Sequence, residues 1–434
     1  MKYRLSLLLL ICMVSACNND PGTDILTPER AQYYFRAVSD ICAADAGRMW
    51  GINLCGPIMY VDQNTRKIYA SEPDREGLLK PKDGVFTGSY PKEKIIDVIA
   101  VEYGGTLFAM VPVFAPEDEY RLKAYTFHAL THCMQKKKGI SPRSFNNRHL
   151  NDRNARMWLK LEWKALRQAI SSEGEERELA IRDALIFRGA RHESFPAYVD
   201  DETRFENYEG LATFTYTRLV TSSVEEQKRR LLDGLRRYYD YRSFGQNYGF
   251  IHGALYAYLL ADKGLSLEII DADNVDLGRI TAEVYNISTP EVIRDVAGSI
   301  AINYDIQAIR EEENERERRI KEAVNKELSI FTEKPVIYFK LESPSFGFEP
   351  EDPNTLDTLG TIYKSIRVSD NWGKLVVEET GCLVSHNLNE IRVPARGVKI
   401  SKNHVSGEEW TLLLNDSWEI VKTGQDYLVK RVGP

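Results

Sequence analysis

The chain is short of the residues that most often mark chemistry. It has 7 histidines, 6 cysteines, 6 tryptophans and 7 methionines in 434 residues, so two histidines at a ligand spacing stand out. Nor is there an excess of basic charge: 57 lysines and arginines against 64 aspartates and glutamates leave a formal charge of -7. That disfavours nucleic acid or anionic lipid as the main partner, because both are held by basic surface. Beyond the N-terminus there is no run of the ~20 apolar residues that a membrane helix needs. No internal repeat of about 20 to 50 residues is evident, which excludes solenoids and propellers. Core-forming residues are not scarce, and the length favours two domains.

The N-terminus reads as an export signal. Lys2 and Arg4 precede an apolar run from Leu5 to Val14, and Ser15-Ala16-Cys17 follows as a small-residue cleavage site. Val14-Ser15-Ala16-Cys17 resembles the lipobox of bacterial lipoproteins, which implies cleavage before Cys17 and lipid on its sulfur. An ordinary secreted protein cut nearby is the other reading. Residues 1–16 are then a signal peptide and residues 17–29 a tether, partly polar, that lifts the folded part off the membrane. The expected location is the outer membrane or cell surface, with membrane contact through the N-terminal lipid only. Removing the leader takes away two basic residues and moves the charge to -9 (55 minus 64). Four cysteines then remain free of lipid: Cys42, Cys55, Cys133 and Cys382. Cys42 and Cys55 are near enough in sequence to close a short disulfide loop, although four cysteines allow three pairings.

Thr27, with Pro28 at the first helical position, opens a helix. From Met49 to Ala70, and again over 85–87, 95–102 and 106–114, short apolar segments broken by turn residues predict strands. After Pro116 the period becomes helical, over about 117–138, 151–171, 175–187, 200–221, 224–239 and 251–263. Residues 305–331 form a long charged helix, read as a solvated connector laced with i,i+4 ion pairs rather than a binding arm. Beyond Pro335 about seven short alternating segments predict an all-β sandwich or barrel. The fold class is therefore α+β, a mainly helical domain over 30–333 followed by a β-rich domain over 334–434.

The stretch of most interest is Phe127-His128-Ala129-Leu130-Thr131-His132-Cys133-Met134-Gln135. Arg121, Tyr125, His128, His132 and Gln135 are spaced 4, 3, 4, 3 and share one helical stripe, with Leu122, Phe127, Leu130 and Met134 mostly off it. Two histidines four apart on a helix can aim ring nitrogens at one zinc ion. Ala129, however, stands where a zinc hydrolase has the glutamate that takes a proton from metal-bound water. Broken enzyme, retained metal site and two structural histidines all fit this spacing.

Two later segments bear on that choice. Glu206 and Glu209 are i,i+3 neighbours predicted on one helical face, and a third ligand from a separate helix is what a three-ligand zinc site needs. Glu162 has Trp158, Leu159, Ala165 and Leu166 as same-face neighbours, so it must find a cation, a metal or strong hydrogen bonds. A buried salt bridge and a site role both stay open for it. Tyr125, Tyr248, His252 and Arg218 are further candidates for the same cleft, as oxyanion donors or as ordinary core and surface residues.

The chain resembles a little-characterised family of bacterial His-Glu-x-x-His proteins. The matching pieces are His128, His132 and Gln135; His149-Leu150-Asn151; Leu161 to Leu166; and Glu206 to Thr213, with Trp50 to Pro57 and Tyr248 to Leu260 as further blocks. More distantly, the run from Glu209 to Phe214 looks like the third-ligand helix of gluzincin metallopeptidases. The resemblance covers about residues 40–265. It implies a zincin-like helical domain with His128, His132 and Glu209 as zinc ligands and no general base. The expected function is a degenerate gluzincin-type metallopeptidase homologue that binds zinc or a peptide or protein ligand, with peptidase activity lost or strongly reduced. Two alternatives stand beside it: an active zinc hydrolase with Glu206 or Glu162 as substitute base, and a non-enzymatic surface module that binds glycan or protein.

Overall fold

A computed structural model describes residues 24–433 apart from 115–117, 141–144, 271, 273, 349–352, 357–359 and 380. The expected leader, Cys17 and most of the tether lie outside the described residues.

Helix α1 (Pro28–Asp45) starts as predicted, with Thr27 Oγ1 accepting the Arg30 N–H at 3.3 Å. The next segment builds a six-stranded sheet from β1 (Ile58–Asp62), β2 (Lys67–Ala70), β3 (Lys80–Lys82), β4 (Val85–Ser89), β5 (Ile99–Tyr103) and β6 (Thr106–Val113). The order is β3-β4-β2-β1-β6-β5; only β1 and β6 run parallel, which leaves β5 as an antiparallel edge strand. Strand alternation divides the apolar residues between two faces. Met59, Val61, Ile68 and Phe108 pack on one side, and Tyr60, Tyr69, Ala109 and Val111 pack on the other against α1 and α2 (Glu119–Lys137). Cys42 and Cys55 form a disulfide, Cα atoms 5.9 Å apart, that ties the end of α1 to the segment entering β1. Cys133 and Cys382 are free and buried.

Asp118 caps α2 by accepting the Arg121 N–H at 2.8 Å. The helix lies under β6 and β5, sends Phe127, Ala129 and Leu130 into the apolar layer, and pairs Lys136 with Glu102 of the edge strand at 2.8 Å.

Eight further helices follow: α3 (Arg153–Ser171), α4 (Gly174–Ser194), α5 (Val199–Phe205), α6 (Leu211–Val220), α7 (Val224–Tyr239), α8 (Tyr248–Asp262), α9 (Leu277–Val284) and α10 (Ile293–Ile300). They share a core that includes Trp163, Phe187, Phe214, Leu255 and Tyr256. The sequence reading missed α9 and α10, because eight residues show too little of a 3.6 period to register. The single helix predicted over 200–221 is instead three pieces, with a π turn at Glu206–Gly210 between α5 and α6.

The long helix α11 (Ile306–Thr332) does carry internal pairs such as Glu315 with Arg318 and Arg319. It is not simply solvated, however: Ile309 and Glu313 are buried, and Glu313 accepts from Arg156 of α3 at 2.8 Å. Then thirteen strands follow among the described residues, from Val336–Lys340 to Asp426–Arg431, rather than about seven. The additional ones are short, Pro353–Leu356 and Lys399–Ser401 among them, and alternation over three or four residues is not legible. They form a seven-stranded and a six-stranded sheet that share one core around Phe339, Trp372 and Trp410.

The Cys42–Cys55 bridge closes a loop of sequence separation 13, and its reduction is expected to lower stability by about 3 kcal/mol. Urea unfolding with and without reductant reads this directly, and an unchanged midpoint would count against a stabilising bridge.

Candidate metal centre

His128 and His132 leave α2 one turn apart, with ring centroids 4.5 Å apart and planes at 84°. Glu209 reaches them from the π turn: its Oε2 lies 3.1 Å from His128 Nε2 and 3.5 Å from His132 Nε2. One ligand atom from each side chain falls within 4.8 Å of the others, the one such group of three found among the described residues. The structure thus brings together the three side chains that the resemblance implied as ligands.

Gln135 sets the electronic state of His132. Its Nε2 donates to two backbone carbonyls of the π turn, Asn207 O at 3.1 Å and Tyr208 O at 3.0 Å. Only the NH₂ end can serve two carbonyls, so Oε1 must face His132 Nδ1, 2.8 Å away. His132 Nδ1 therefore carries a proton, and in a neutral ring Nε2 presents a bare lone pair toward the Glu209 carboxylate. Two electron-pair donors facing each other call for a cation between them. Burial, and then neighbouring His132, depress His128 despite its bond to Glu209. Burial works to raise the Glu209 carboxyl, but His132 and His128 outweigh it and hold it at about 2. The carboxylate of Glu209 and the depressed imidazole of His128 are each a form that a metal ion binds.

The π turn supplies the geometry. It lies backbone to backbone on α8, where a Cβ on Gly253 would sit 2.3 Å from Glu206 O and one on Gly210 2.6 Å from the Gly253 Cα. This corrects the expectation that Glu206 and Glu209 share one face. The wider turn rotates them apart, so that Glu209 meets the histidines and Glu206 points into the helical core. There Arg188 grips Glu206 with two bonds, of 2.9 and 2.8 Å.

Glu162 belongs to the same buried network. It pairs with Arg191, accepts from Tyr256 Oη at 2.6 Å and lies 3.0 Å from His252 Nε2. Burial alone would raise its carboxyl, but Arg191, then His252, hold it well below the usual range. Glu202 completes the cluster through Arg191, His149 and His192, and is likewise held low. Neither Glu162 nor Glu206 is thus placed as a base. Tyr248, its hydroxyl 3.4 Å from Glu206, and His252 are buried in this network rather than in a cleft at His128. Arg218 donates to Gln227 at 3.3 Å, away from the triad. Tyr125 is half-buried in a small groove with Pro112, Phe114 and Arg121, one turn before His128.

Aromatic rings wall the centre, and the sequence reading did not single them out. Tyr208 stacks on His132 at 4.3 Å, and Phe250 and Tyr216 lie 6.1 and 6.0 Å from His128. Burial, and beside it Tyr216, Tyr241 and Glu209, push the Tyr238 phenol well up, so it stays a proton donor. Asp97 was also missed, since its loop carries no motif. It is exposed in the loop before β5 and lies within electrostatic reach of Glu209, His132 and Arg367.

Gly253→Ala is expected to cost ~1–3 kcal/mol by overpacking the π turn, and to weaken metal affinity by displacing Glu209. Thermal melts and a zinc titration of the same preparation check both, and unchanged affinity would show that the close packing does not position Glu209. No protein-family model matches the chain, and neither a curated protein nor a solved structure matches it significantly.

Proposed function

We propose that this protein is an exported, lipid-anchored, degenerate gluzincin-type metallopeptidase homologue. It holds zinc on His128, His132 and Glu209, and it binds a peptide or protein ligand with hydrolysis lost or strongly reduced. The observation that carries the reading is the lock on His132: Gln135 fixes its proton on Nδ1 and leaves Nε2 aimed at a carboxylate. Two imidazoles and one carboxylate suit zinc better than calcium or magnesium, which prefer all-oxygen shells. When bound, zinc supplies Lewis acidity to an oxygen ligand. A zincin-like organisation is supported by a histidine helix beneath a sheet with an antiparallel edge strand, and by a third donor arriving from a separate helix.

The loss of hydrolysis rests on Ala129 and on where the other carboxylates go. Ala129 is fully buried in the apolar layer between α2 and the sheet and can accept no proton. Glu162 and Glu206 are committed to Arg191 and Arg188, which disfavours an active hydrolase built on either. Export and anchorage are supported by the Lys2–Cys17 segment. No helix among the described residues is long and apolar enough to cross a membrane.

Purified without chelator, the natural chain is expected to carry about one zinc per chain, and His128→Ala and Glu209→Gln to carry almost none while keeping their helical circular dichroism. A natural chain with less than about a tenth of an equivalent overturns the ligand assignment. In the same preparation, chelator-sensitive cleavage of a mixed peptide pool is expected to be undetectable, and robust cleavage would overturn the loss of activity.

A further inference from the structure

We propose that the β-rich unit carries an oxyanion-binding site, made by Lys374, Arg367 and the Ser369 hydroxyl with Arg66 beside them, on the rim of the candidate metal centre. It deepens the proposed function by naming the ligand chemistry, and rests on that reading only for the role of the neighbouring centre.

Strand register defines the face. Strand Ile366–Asp370 pairs antiparallel with Gly373–Val377, placing Ser369 opposite Lys374 and Arg367 opposite Val376. Ile366, Val368, Leu375 and Val377 are in the core between the two sheets, so alternation puts Arg367, Ser369 and Lys374 on the outer face. That face is not open surface: Ser369 is only 4% exposed and Lys374 is half-buried. The loop before β5 covers part of it, with Ile95 3.4 Å from where a Gly347 Cβ would stand. Arg66 is anchored at the same loop by the carbonyls of Tyr90, Pro91 and Lys94.

Two costs meet there. Burial, and then Arg66 and Arg367, depress the Lys374 amine, and no carboxylate is among the groups acting on it. The acids nearby act through space on the other cations, Asp97 on Arg367 and Glu93 on Arg66. The Ser369 Oγ is buried on the same face and has no hydrogen-bond partner among the described residues. A desolvated cation among like charges and a buried hydroxyl without an acceptor are each destabilising alone. One oxyanion accepting from the hydroxyl and the cations removes both, through charge-assisted bonds.

The site adjoins the metal centre through Asp97, which is within electrostatic reach of Arg367 on one side and of His132 and Glu209 on the other. A ligand seated by its carboxylate or phosphate at Lys374, and long enough to pass Asp97, would approach His132. A peptide with a free carboxylate and a small phosphorylated molecule share this chemistry.

The test is calorimetric titration of the chelator-treated full chain with succinate and, separately, with inorganic phosphate. Saturable binding is expected, weakened about tenfold by Lys374→Met and by Arg367→Gln, less by Ser369→Ala, and unchanged by the exposed control Lys399→Met. Preference for succinate assigns a carboxylate and preference for phosphate a phosphoryl group; either supports the site. Arg367 is exposed, so Arg367→Gln carries the test should Lys374→Met fail to fold. No saturation with either anion, or equal affinity in Arg367→Gln and Lys399→Met, overturns the proposal. Because the titration is done without metal, binding by a chain that proves unable to hold zinc would uphold this site while overturning the metal assignment.

Discussion

Everything proposed for the centre depends on one side chain that cannot turn round. Gln135 donates from Nε2 to two carbonyls of the π turn, which leaves its oxygen for His132 and thereby fixes which imidazole nitrogen is bare. Those carbonyls are available because α5 and α6 are joined by a π turn, where the helical bonding ladder shifts. Buried carbonyls need donors, and Gln135 is the donor. The same amide therefore stabilises the turn that carries Glu209 and orients the histidine that faces it.

On the other side of the turn, charge does the holding. Glu162, Glu202 and Glu206 are completely buried against Arg188 and Arg191, with His252 between. Removing one partner of such a cluster typically costs ~3–5 kcal/mol because a buried charge is left uncompensated. Glu206 is therefore an anchor: its grip on Arg188, with the glycine contact to α8, fixes the backbone from which Glu209 projects three residues later. The carboxylates that resembled spare bases are the mounting of the third donor.

How much of this was legible in the sequence follows from the range of each interaction. The α2 stripe and the pairing of His128 with His132 depend on spacing within one helix, and both could be read. Thr27 and the order of helices followed by strands were legible for the same reason. The split between Glu206 and Glu209 was not, since a π turn differs from an α turn by one residue and leaves no periodic mark. The long-range partners of Glu162, Glu206 and Glu313 were hidden too, because any of many arginines and lysines would have served. Asp97 and Lys374 were invisible for a different reason: each gains meaning only from a loop or strand that another part of the chain lays beside it.

On the proposed reading, the departure at Ala129 is confined to acid–base chemistry. His132 keeps its orienting partner, Glu209 keeps its turn, and the aromatic wall of Tyr208, Tyr216 and Phe250 is built around the donors. The most direct test of the central claim is X-ray absorption at the zinc edge of the zinc-loaded chain. The account predicts two imidazole nitrogens at ~2.0–2.1 Å together with oxygen ligation. A shell of oxygens without imidazole scattering would contradict it.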